Sequence, residues 1–62
     1  MYKVIEGTIY FKNQKESANK IGISQYTLCR ILKGKPTKKT TAECIVKEFN
    51  KRKRLEECFE KI

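Results

Sequence analysis

Residues Gln14–Gly34, QKESANKIGISQYTLCRILKG, hold two helix-forming stretches separated by a short turn. Asn13 is an N-cap, and a first helix is expected from Gln14 to Lys20 with Ala18 and Ile21 turned inward. Gly22 ends it, because a residue without a β-carbon enters the left-handed backbone region most easily. Ile23 follows as a buried turn residue, and Ser24 caps a second helix over residues 25–33. In that helix Leu28, Ile31 and Leu32 share one face at helical spacing, and Gly34 stops it. Ala18 is small where the second helix must cross the first closely. This is a helix-turn-helix arrangement, and it leaves one face of the second helix free to enter a major groove.

The flanking sequence is read outward from this motif, residues 14–34. Residues 2–11 carry Tyr2, Val4, Ile5, Thr8, Ile9, Tyr10 and Phe11, a β-branched and aromatic set that favours extended structure. They form one strand or two short ones turning at Glu6-Gly7, with a short first helix as the alternative. Lys35-Pro36-Thr37-Lys38-Lys39 is a loop, since Pro36 excludes Lys35 from the helical region. A third helix is expected to be capped by Thr40 or Thr41, with Glu43 in its first turn and Ala42, Ile45, Val46 and Phe49 buried. Leu55, Phe59 and Ile62 then make an i, i+4, i+7 stripe, read as a fourth helix over about residues 53–61 or as the continuation of one bent helix. The expected fold is mainly α, one helix-turn-helix domain over residues 1–62 built from three to four short helices, with an N-terminal β segment.

Composition narrows the function. Sixty-two residues bound a single domain near the lower limit for folding on an apolar core alone, too small for a substrate fold of its own. The chain is therefore expected not to be an enzyme. It has no histidine, and its three cysteines, Cys29, Cys44 and Cys58, form no C-x-x-C pair. Neither a four-ligand zinc site nor a Ser-His arrangement can be assembled, and no cofactor is expected. The thiols are read as reduced, small apolar fillers of a cytoplasmic protein. No apolar run exceeds three residues, so no membrane span and no signal-peptide core is expected.

Fifteen Lys and Arg stand against seven Glu, a net charge of +8. The excess is local. From Lys12 to Thr40 eight basic residues face Glu16 alone, whereas the last third mixes six basic with five acidic residues. A block of one sign calls for a polyanionic partner.

Placing Leu28 and Ile31 inward leaves Gln25, Tyr26, Thr27, Cys29 and Arg30 on the outer surface of the second helix as base-reading candidates. Gln pairs bidentately with adenine and Arg with guanine, so Gln25 and Arg30 head that set. Gln14 and Lys15 open the preceding helix, where free N–H groups hold a phosphate. Lys33, Lys35, Lys38 and Lys39 are the other phosphate candidates. Lys51-Arg52-Lys53-Arg54 is either a second phosphate anchor or a plain solvated connection. Tyr2, Ile5, Ile9 and Phe11 are core or sheet residues, since they form no basic-aromatic platform for single strands.

The set Gln14, Ala18, Ile21-Gly22-Ile23-Ser24, Leu28, Ile31 and Lys33-Gly34, followed by Thr41-Ala42-Glu43 and Ile45-Val46-Lys47, resembles the Cro and phage-repressor type of helix-turn-helix protein. Leu55-Glu56-Glu57-Cys58-Phe59 looks like the short final helix of many such proteins. The resemblance covers about residues 13–60. Ser17 departs from it, standing where the family usually has an apolar residue, and the usual charged first helix is missing. Gly7-Thr8-Ile9-Tyr10-Phe11 followed by Glu16-Ser17-Ala18 also resembles the helix-turn-helix repeat of intron-encoded homing endonucleases.

Both resemblances imply binding of double-stranded DNA. The first implies a small phage or mobile-element transcriptional regulator, in the cytoplasm at the nucleoid, with the helix over residues 25–33 in the major groove and two copies on paired half-sites. A homodimer is also expected because the Leu55–Ile62 stripe and the edge of the N-terminal strand lack cover, unless Phe59 and that strand fold back on the core. Two alternatives stand beside the regulator. One is a DNA-targeting or architectural accessory module for recombination or an endonuclease; the other is a basic adaptor docking on an acidic host protein. RNA fits less well, because a recognition helix does not enter the deep A-form groove. Neither membrane nor small-molecule partners are expected.

Overall fold

The computed structural model describes all residues, Met1–Ile62. The chain runs β1 (Tyr2–Val4), α1 (Gln14–Ile21), α2 (Gln25–Leu32), α3 (Lys39–Phe49), α4 (Leu55–Cys58) and β2 (Phe59–Lys61). It is a mainly α fold with an N-terminal β segment, as its sequence predicts. No helix is long and apolar enough to cross a membrane.

Of the two stretches read around Glu6-Gly7, only Tyr2–Val4 is a strand. Gly7 has φ +80°, and the Thr8 N–H closes the turn on the Ile5 carbonyl at 3.1 Å. The Thr8 hydroxyl donates to the carbonyls of Ile5 and Cys58, tying the turn to the other end of the chain. Beyond it the chain is irregular until Phe11, which is buried edge-on against Phe49 with ring centres 5.9 Å apart.

β1 and β2 pair antiparallel, with Tyr2 opposite Lys61, Lys3 opposite Glu60 and Val4 opposite Phe59. On its other edge β1 meets Thr37 in a two-way bridge, Tyr2 N–H to Thr37 carbonyl at 2.8 Å and Thr37 N–H to Tyr2 carbonyl at 2.7 Å. β1 therefore has partners on both sides. The bridge buries Thr37 and delivers the chain directly into α3.

The fold departs from expectation at the start of its third helix and along its fourth. α3 starts at Lys39 with Lys38 in the N-cap position and no side-chain cap, so Thr40 and Thr41 lie inside the helix. Thr37 is held by β1, and the backbone winds up as soon as it leaves that bridge. Glu43 consequently falls outside the first turn and instead lies 4.0 Å from Lys39.

The fourth helix is only Leu55–Cys58, and Phe59 leaves it with extended φ −128°, ψ 146°. A helix through Lys61 would leave that edge of β1 without hydrogen-bond partners, and an unpaired edge is costly. Pairing also lets Phe59 reach the core, where it is 2% exposed, while Ile62 stays outside. The Leu55–Phe59–Ile62 stripe is thus not a helical face. Fold-back within one chain covers Phe59 and the edge of β1, while Leu55 is partly buried and Ile62 stays exposed.

α3 and α4 are separate helices, the first of the two readings of the sequence, and not one bent helix. Asn50 leaves α3 extended, and its side-chain carbonyl accepts the Arg52 N–H at 2.9 Å.

The core is Val4, Phe11, Ala18, Leu28, Ile31, Ala42, Ile45, Val46, Cys58 and Phe59. Ile21, Ile23, Leu32 and Phe49, expected inside, are partly buried around it. The thiols divide: Cys58 fills the core, Cys29 is half-buried and Cys44 is exposed. Burial pushes the Cys58 thiol above its ordinary pKa; Lys53 draws it partly back and Glu57 adds to the rise.

Candidate nucleic-acid interface

α1 and α2 form the helix-turn-helix. The Asn13 side chain accepts the Glu16 N–H at 3.1 Å and starts α1. At its end the N–H groups of Gly22 and Ile23 both reach the Ala18 carbonyl, at 2.9 and 3.0 Å, with Gly22 at φ +93°. An added β-carbon at Gly22 would meet no atom within 4 Å, so the glycine is required by backbone conformation and not by crowding. Ala18 is 1% exposed and Leu28 0%, the close crossing that a small residue at position 18 permits.

The α2 start is built by Ser24. Its oxygen accepts the Thr27 N–H at 3.1 Å and its hydroxyl donates to the Thr27 oxygen at 2.8 Å. The helix is one residue shorter than expected, with Lys33 as its C-cap. Gly34, at φ +106°, donates to the Ile31 carbonyl at 3.0 Å and turns the chain away.

Of the five base-reading candidates, Gln25, Tyr26, Thr27 and Arg30 are exposed together on the free face of α2. Tyr26 is 71% exposed. The Arg30 guanidinium lies 5.6 Å from the centre of its ring. Thr27 is less free than its exposure implies, since its oxygen already accepts from Ser24. Cys29 departs from the expected outer placement. It is half-buried, on the side of α2 that it shares with Leu32 three residues on, which packs against the core.

Two grooves border this face. One runs along the start of α1, is lined by Lys12, Asn13, Gln14, Lys15, Glu16, Ser17, Lys20 and Gln25, and has no apolar lining residue. Glu16 lies 3.5 Å from Lys20, so Lys12 and Lys15 remain its unneutralised cations. The other groove is lined by Tyr26, Thr27, Arg30, Ile31, Lys35, Pro36 and Thr37, and Arg30 and Lys35 are its only charges. Gln25 thus opens onto the first groove beside Gln14 and Lys15, and Arg30 onto the second beside Lys35.

The remaining phosphate candidates are placed differently. Lys33 lines a separate cleft with Lys3, Glu6, Ile9 and Glu60, where two carboxylates share the space. Lys38 and Lys39 line neither groove, and Lys39 is paired with Glu43. Lys12 joins the first groove although the motif spacing did not single it out; its signal was its place immediately before the Asn13 cap. No three Cys, Asp or Glu side chains gather where a metal ion could sit.

No protein-family model, curated protein or solved structure matches the chain.

Proposed function

We propose that the chain binds double-stranded DNA sequence-specifically, as a small transcriptional regulator of the phage or mobile-element kind. The observation that carries this reading is the free face of α2. Gln25, Tyr26 and Arg30 stand in the open between two grooves whose unneutralised charges are all positive.

In this reading α2 lies in the major groove. Gln25 and Arg30 hydrogen-bond base edges, with Tyr26 beside them and Thr27 contributing its remaining donor. Gln14 and Lys15, at the start of α1 where backbone N–H groups lack helical acceptors, hold a phosphate on one side. Lys35 holds one on the other side, with Lys38 following along the backbone. Lys39 contributes long-range attraction rather than direct contact, because Glu43 lies 4.0 Å away, and so does Lys33, which faces a separate cleft lined also by Glu6 and Glu60. Neither catalysis nor a cofactor is part of the proposal, and the chain acts at the nucleoid in the cytoplasm.

Two copies occupy paired half-sites with their reading helices about 34 Å apart. Since β1 and β2 cover each other within one chain, association follows DNA binding and is not needed to complete the core.

Selection of bound sites from random duplex DNA tests the reading. A discrete recovered sequence, with two-fold symmetry, is the expected result. Recovery of no preferred sequence would remove the regulator and leave a non-specific binder.

A further inference from the structure

We propose that the turn Lys51–Arg54, together with Lys12, is a second phosphate-binding surface, holding the backbone of duplex DNA beside the segment that α2 reads. The proposal rests on the DNA-binding reading above and extends it to a part of the chain outside the helix-turn-helix.

Lys51, Arg52, Lys53 and Arg54 are consecutive and all exposed. The ion pairs of the fold, Lys20 with Glu16 and Glu48 and Lys39 with Glu43, use none of them. Of the two acidic residues that follow the turn, Glu57 accepts the Arg54 backbone N–H at 3.1 Å, capping α4, and Glu56 is exposed; neither makes an ion pair with the four cations. The turn itself is held in shape. The Asn50 side chain accepts from the Arg52 N–H at 2.9 Å, and the Asn50 carbonyl accepts from the Lys53 N–H at 3.0 Å. Four cations are thus displayed on a hydrogen-bonded turn, so little chain entropy remains to be lost when they meet a row of phosphates.

Two contacts place this turn beside the groove at the start of α1. Phe49, two residues before Lys51, packs on Phe11, which immediately precedes Lys12. Glu48 lies 3.8 Å from Lys20, a lining residue of that groove. The cations of the turn therefore continue the Lys12–Lys15 side of the interface. A competing role is purely structural, since positive charge after a helix C-terminus offsets the dipole of α3. That role predicts a change in stability and none in salt dependence.

The experiment measures affinity for random-sequence duplex DNA against salt, using the full chain and the variant K51Q/R52Q/K53Q, with thermal melting of both proteins alongside. Each phosphate that a cation no longer neutralises lowers the slope of log affinity against log salt by about 0.9, so two to three such phosphates lower it by about 1.8 to 2.7. That fall is the expected result, with the charge-preserving variant K51R/R52K/K53R keeping the full slope. Should the triple Gln variant fail to fold, Arg52→Gln alone is expected to lower the slope by about 0.9. An unchanged slope in a folded variant overturns the second surface and leaves the reading by α2 in place. A parent chain that binds no duplex at any salt removes both.

Discussion

The Arg30 guanidinium rests 5.6 Å from the centre of the Tyr26 ring, one helical turn earlier on the same exposed face. An exposed cation–π contact contributes only about 0.5–1 kcal/mol. Its consequence here is geometric. Contact with the ring narrows the rotamers open to a long side chain, so in the proposed reading the planar fork of Arg30 is aimed before it meets a base. Tyr26 is 71% exposed and meets Arg30 at the mouth of the groove that both line.

The reading helix gives the first prediction. Gln25→Ala and Arg30→Ala are each expected to cost about 1–3 kcal/mol on the preferred site and to relax preference at one base position. Tyr26→Ala should weaken the same position as Arg30→Ala, by less, while Tyr26→Phe retains it. Binding titrations over single-base variants of the site check this. Equal behaviour of Tyr26→Ala and the parent chain would show that the stack does not position Arg30.

The lysine loop behaves differently residue by residue. Lys35→Gln is expected to lower the salt slope by about 0.9, the value for one phosphate contact. Lys39→Gln should lower it less, since Glu43 lies 4.0 Å away and already offsets the charge. Affinities across a salt series decide the order. A larger effect at Lys39 than at Lys35 would contradict the groove assignment.

Phe59 joins the two ends of the chain. Truncating a fully buried Phe costs about 3–5 kcal/mol. Small domains hold only about 5 kcal/mol or little more in total. Phe59→Ala is therefore expected to be largely unfolded near body temperature, and Phe59→Leu folded with a lowered Tm. Thermal denaturation by circular dichroism measures both, and a parent-like Tm for Phe59→Ala would refute the central place given to the β1–β2 pairing.

The thiols should react in order of access. Cys44 is exposed, Cys29 half-buried and Cys58 buried. Alkylation of the native protein, followed by mass spectrometry, is expected to label Cys44 first and Cys58 only through unfolding. The raised pKa of Cys58 also sets a sign. The folded state holds the neutral thiol more strongly, so its contribution is intact below the ordinary thiol pKa and is lost as pH rises through the higher folded value. Stability should fall in alkali, and replacing Cys58 by Ala should remove that component. Native labelling of Cys58 at the Cys44 rate would contradict its burial.

Sedimentation separates the two sources of a dimer. The free chain is expected to be a monomer at micromolar concentration, because both edges of β1 and Phe59 are already covered. On a DNA carrying both half-sites, two copies should bind. One copy protecting one half-site would end the two-fold proposal and leave the reading helix intact.

Residues 13–34 could be interpreted from the sequence because their signals are local. Asn13 and Ser24 cap the helices through their own side chains, Gly22 and Gly34 take positive φ, and Ala18 and Leu28 pack at i and i+10 across one short turn. Each choice involves neighbours within a few residues, so propensity and spacing determined the outcome. The exposed face of α2 followed by elimination. The ends of the chain were different. Leu55, Phe59 and Ile62 have helical spacing, yet Phe59–Lys61 is a strand because β1, more than fifty positions away in sequence, supplies hydrogen-bond partners that a helix would forgo. Thr37, expected in a plain loop, is likewise bridged to β1, and α3 starts at Lys39, ahead of the cap expected at Thr40 or Thr41. The division of the lysines was also tertiary. Charge alone cannot tell Lys35, beside Arg30 in a groove, from Lys33, which the turn of α2 carries round toward Glu6 and Glu60.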